Sequence, residues 1–105
     1  MDTPASTDQG QIATKTKTDL KKPKLYKVLL LNDDYTTMEF VVHILKLIFG
    51  KNEEEAMAIM LAIHHEGSGI CGVYTHEIAE TKVSKVRQIS KEHQFPLRCE
   101  MEEEW

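Results

Sequence analysis

The sequence is poor in the features that staple, anchor or arm a small protein. It has two cysteines, Cys71 and Cys99, among 105 residues, too few for a disulfide framework or a thiolate metal site. The longest apolar run, residues 40–49, is interrupted by His43 and Lys46, whereas a bilayer span needs roughly 20 apolar residues. Met1-Asp2-Thr3-Pro4 shows no basic region followed by an apolar stretch, so no secretory signal is expected and a cytoplasmic location is the default. A basic excess is missing as well. Formal net charge is -4, which leaves no general field to hold nucleic acid. No two histidines have the three- or four-residue spacing of a helical metal clamp. His64 and His65 are adjacent and would point roughly 100° apart on a helix, and His43, His76 and His93 stand alone. No metal or other cofactor is therefore expected. Gly67-Ser68-Gly69 lacks the lysine and flanks of a phosphate loop, and no nucleophile motif is present.

What remains is an ordinary soluble composition, 41% hydrophobic and 29% charged, enough for one modest core. Residues 1–24 differ from the rest. Their apolar residues are sparse, and Lys15, Lys17, Lys21, Lys22 and Lys24 form a basic stretch. Such a segment cannot offset its ordering entropy by burial, so it reads as a flexible arm before a single domain over 25–105. Nucleic-acid binding would rest on that stretch alone and is not expected.

Leu25 to Leu31 is rich in strand formers and reads as a strand. Asn32-Asp33-Asp34-Tyr35 reads as a turn. Thr36 with Glu39 has capping-box spacing, so a helix is expected from there to Gly50, burying Met38, Val41, Val42, Leu45 and Ile48. Asn52 with Glu55 repeats the signal for a second helix to Glu66, capped by Gly67, with Ala56, Ile59, Met60 and Ile63 inward. Ser68-Gly69 reads as a turn and Ile70 to Tyr74 as a short strand. Thr75 can cap a third helix carrying Ala79, Val83, Val86 and Ile89. Leu97 to Met101 alternates like a half-buried strand, and Glu102 to Trp105 reads as a loose tail. The order strand-helix-helix-strand-helix-strand predicts an α+β sandwich, a three-stranded, largely antiparallel sheet packed against three helices.

Three features could carry chemistry. The turn Asn32-Asp33-Asp34 ends a strand and could aim acceptor oxygens at a ligand from a rigid base, or simply be a solvated turn leading into a cap. His64 lies one turn beyond Met60 and could be a ligand group or a hydrogen-bonded core histidine. Met38, Met57 and Met60 could line a pocket for varied apolar guests or be ordinary helix core. An enzyme would have to use Asp33 or Asp34 as base with His64 as partner, and nothing else in the sequence supports it. Cys71 sits in an apolar strand, where a thiol is inert.

Tyr26-Lys27-Val28, Asn32-Asp33-Asp34-Tyr35-Thr36 and Met38-Glu39-Phe40-Val41 resemble the ClpS family, adaptors of the bacterial ATP-dependent Clp protease. The likeness continues through Met60-Leu61-Ala62-Ile63-His64, Ile70-Cys71-Gly72-Val73-Tyr74, Glu77 to Val83 and Pro96-Leu97, covering about residues 24–101. It implies a fold similar to the C-terminal domain of the ribosomal stalk protein. It also implies a function: binding proteins whose first residue is Leu, Phe, Tyr or Trp and handing them to the unfoldase ClpA for degradation by ClpP. By the same resemblance Asn32, Asp34 and His64 would hold the free α-amino group. Thr36, Met38, Val41, Met60, Ile63 and Leu97 would line the side-chain pocket, with Asp33 at its rim and Met38 as a gate against β-branched residues. Glu77 and Lys82 would meet the N-terminal domain of ClpA, and the arm would take part in delivery. The chemistry fits, since an ammonium has three donors and a carboxylate adds charge assistance. Thr37 stands where many members have proline, so a slightly looser loop is expected. The alternative is a fold-related interaction module of the translation apparatus that does not depend on a free α-amino group.

Overall fold

The computed structural model describes residues 22–104. The arm read over 1–24 falls almost wholly outside them, as does Trp105. Six elements follow in the expected order: β1 (Leu25–Leu31), α1 (Met38–Leu47), α2 (Glu53–Glu66), β2 (Ser68–Thr75), α3 (His76–Glu92) and β3 (Arg98–Glu103). The sheet is antiparallel throughout, with β1 in the centre and order β2-β1-β3. The strand richest in leucine thus takes the position with neighbours on both edges.

One face of the sheet carries the core. Val28 and Leu30 of β1 are fully buried, and so are Ile44 and Leu45 of α1. Burying each such side chain contributes about 1.5–3 kcal/mol, set against about 1–2 kcal/mol per residue for fixing the backbone. The register slips between Val28 and Leu29, leaving Cys71 as an extra residue on β2. Such a bulge adds local twist and re-aims side chains; here Cys71 is 1% exposed.

The capping box of α2 forms from both sides. Glu55 N donates to Asn52 Oδ1 at 2.8 Å, and Asn52 N donates to Glu55 Oε1 at 2.9 Å. Gly67 closes the helix in the left-handed region, φ 93°, and its N–H donates to Ile63 O at 2.9 Å. Helix α1 buries Val41, Leu45 and Ile48 as expected, and departs from expectation at four positions. Phe40 and Ile44 are buried, whereas Met38 is exposed and Val42 half-buried. Ser68-Gly69 is not a turn but the start of β2, because Gly67 alone reverses the chain. Nor is the acidic tail loose. Glu102 and Glu103 pair with Lys27 and Tyr26 along β1, Glu104 N donates to Leu25 O at 2.8 Å, and Lys24 meets Glu103 at 3.0 Å. Opposite charges on neighbouring strand positions let the ladder run on through a segment without apolar residues. Thr75 occupies the N-cap position of α3 but makes no side-chain cap bond.

Candidate functional site

The site begins where β1 stops. Asp33 organises the turn: its Oδ1 accepts from Tyr35 N at 2.8 Å and Thr36 N at 2.7 Å, and its Oδ2 accepts from Thr36 Oγ1 at 2.7 Å. Burial alone would push this carboxyl up. The hydrogen bonds from Thr36 and Tyr35, with the Arg98 charge, outweigh it and hold the group below its usual value. Because this turn uses both the N–H and the hydroxyl of Thr36, the cap passes to the next residue. Thr37, not Thr36, caps α1, accepting from Phe40 N at 3.1 Å. Thr37 therefore anchors the start of α1 through its own side chain.

The second half of the site comes from α2. Asn32 N donates to Gly67 O at 2.8 Å, so the end of β1 is bonded directly to the cap of the helix that bears His64. Between them lies a cavity of 260 Å³, lined by Asn32, Asp33, Asp34, Thr36, Met38, Val41, Met60, Ile63 and His64. Val41, Met60 and Ile63 are buried, whereas Asn32, Asp34 and His64 are exposed. The cavity thus has apolar walls and a polar side open to water. His65 lies edge-on to His64, ring centroids 5.3 Å apart. Leu97, which the resemblance groups with the pocket residues, is buried to the same degree as Met60, each 5% exposed.

Glu77 and Lys82 lie elsewhere, on a groove of 710 Å³ between the end of α1 and α3, with Leu47, Ile48, Ile78, Thr81, Lys85 and Ile89. Lys82 Nζ donates to Ile48 O at 2.8 Å and sits 5.3 Å from the centre of the Tyr74 ring. Part of its donor capacity therefore clamps α1 to α3. Burial pushes the thiols of Cys71 and Cys99 up to about 12 each. Among the described residues no group of three or more His, Cys, Asp or Glu could hold a metal, and no helix is long and apolar enough to cross a membrane.

The cleft thus pairs a polar rim with apolar walls. The model of the family described as ATP-dependent Clp protease adaptor protein ClpS matches residues 21–100. The ATP-dependent Clp protease adapter protein ClpS of Parvibaculum lavamentivorans is 60% identical over 93 residues, 89% of this chain and 84% of that one. The corresponding ClpS 1 of Rhizobium meliloti is 59% identical over 91 residues, 87% of this chain and 78% of that one. The solved structure of Agrobacterium tumefaciens ClpS2 bound to L-phenylalaninamide superposes with a TM-score of 0.77 at 44% identity, covering 79% of this chain and 100% of that chain. The chain belongs to the ClpS family of Clp protease adaptors, which are not enzymes.

Proposed function

We propose that the protein, working in the cytoplasm, captures proteins that begin with Leu, Phe, Tyr or Trp and delivers them to ClpA for degradation by ClpP. The observation that carries this is the 260 Å³ cavity, whose apolar walls meet Asn32, Asp34 and His64 on one side. It is smaller than the ~300–1,000 Å³ of a drug-sized ligand site, the scale of one amino-acid side chain. An ammonium entering there meets a side-chain carbonyl, a carboxylate and a ring nitrogen, three acceptors for three donors. The apolar side chain of the same residue lies against Val41, Met60 and Ile63, with Thr36 and Met38 flanking. A relative of the same fold bound to L-phenylalaninamide supports this reading. Glu77 and the free donors of Lys82 contribute to the face that meets the N-terminal domain of ClpA.

The test is fluorescence anisotropy of a labelled peptide beginning with Phe against its N-acetylated twin. Acetylation removes the charge and most donors, so affinity should fall by at least about 100-fold, and His64→Ala should cost the free peptide roughly 10–150-fold. Equal binding of the two peptides would refute recognition of an N-terminal residue and favour the translation-module reading.

A further inference from the structure

A second apolar groove adjoins this cavity. It has a volume of 510 Å³, lies between α1 and α2, and is lined by Met38, Glu39, Val42, Glu53, Met57 and Met60. Met38 and Met60 also line the 260 Å³ cavity, so one wall is common to both. Met57 takes no part in the first cavity, yet it stands 41% exposed, and Met38 stands 45% exposed. The carboxylate of Glu53 turns to Lys46 at 2.7 Å, so beside the Glu39 carboxylate the groove presents the thioether and methyl groups of Met38, Val42, Met57 and Met60.

We propose that this groove receives the side chain of the substrate's second residue, and that it selects apolar and aromatic side chains there. The inference rests on the reading of the first cavity as the site of the N-terminal residue. Consecutive Cα atoms are about 3.8 Å apart, and successive side chains of an extended chain point to opposite sides. With the first side chain on one flank of Met38, the second falls on the other flank, where Val42 and Met57 lie. Methionine's flexible, polarisable chain accommodates guests of different shape, so Leu, Met, Phe and Tyr all fit. Apolar surface left in water beside a binding cavity becomes covered when the peptide continues past its first residue.

The experiment compares peptides beginning Phe-Ala and Phe-Leu, each free and N-acetylated, on the wild type, Met57→Ser and Met57→Leu. On the wild type, Phe-Leu should bind about five-fold tighter than Phe-Ala. That ratio should fall to about one in Met57→Ser and persist in Met57→Leu. Because Met57 is exposed, circular dichroism should show both variants folded. An unchanged ratio in Met57→Ser, with acetylation still abolishing binding, overturns the second-residue site and leaves first-residue recognition standing. Loss of the difference between free and acetylated peptides overturns both. A change of oligomeric state in Met57→Ser without a change in ratio assigns the groove to a second copy of the chain and also overturns the proposal.

Discussion

Asp33 lines the cavity, but its carboxylate is committed to three hydrogen bonds within its own turn. Replacing it with alanine should therefore act through the turn. Hydrogen bonds to charged groups contribute about 1.5–3 kcal/mol each, and less where water can replace the partner. This turn is exposed at Tyr35 and half-buried at Thr36, so the loss should total about 2 kcal/mol, comparable to removing a strong helix cap. For a domain of this size that lowers Tm by roughly 10 °C. Asp33→Asn keeps an oxygen for the two backbone donors and loses only the charge and the acceptor for Thr36 Oγ1. It should cost about 1 kcal/mol, roughly 5 °C. Peptide affinity should fall in the same order, alanine more than asparagine. The folded carboxyl lies below its unfolded value, so its contribution is fully present above pH 3.8 and is lost as pH falls through the lower folded value. The Thr36 and Tyr35 amide signals should therefore titrate below pH 3.8. An Asp33→Ala variant with unchanged Tm and abolished binding would refute this reasoning and make Asp33 a direct ligand contact.

Two further outcomes follow from the core. Cys71 and Cys99 should resist alkylation by iodoacetamide at pH 8 in the folded protein and react once it is denatured, since both thiols are buried and pushed up to about 12; mass spectrometry showing rapid labelling of the native chain would contradict it. Ser90 Oγ is buried on α3 without a hydrogen-bond partner among the described residues, so Ser90→Ala should raise stability by about 1 kcal/mol, and a lower Tm would point to a bond this hydroxyl makes in solution.

Local signals in the chain foretold local structure well. The Asn52 and Glu55 pair, the Gly67 cap and the bounds of β1 are settled by residues within four positions of one another. The failures lie where distant groups compete. Thr36 has the right spacing to cap α1, but Asp33 takes its hydroxyl. The buried face of α1 is set by what packs on it, so Phe40, against Phe95 at 4.7 Å, turns inward and Met38 outward. Strand β3 extends into Glu102 and Glu103, whose backbone pairs with Lys27 and Tyr26 of β1 while Lys27 and Lys24 face the carboxylates, a pairing that no window along the chain contains. The turn and His64, 30 residues apart, line one cavity whose walls Val41, Met60 and Ile63 also belong to the core, and only the family resemblance linked them beforehand.

The bond from Asn32 N to Gly67 O joins two stretches far apart in sequence, with α1 and α2 between them. Each stretch supplies polar residues to the cavity rim, and neither encloses a cavity alone. A nascent or partly unfolded copy, in which β1 has not yet met the end of α2, would have no pocket to offer. On the proposed function, competence to bind then becomes a readout of completed folding, and an incompletely folded copy takes up no cargo.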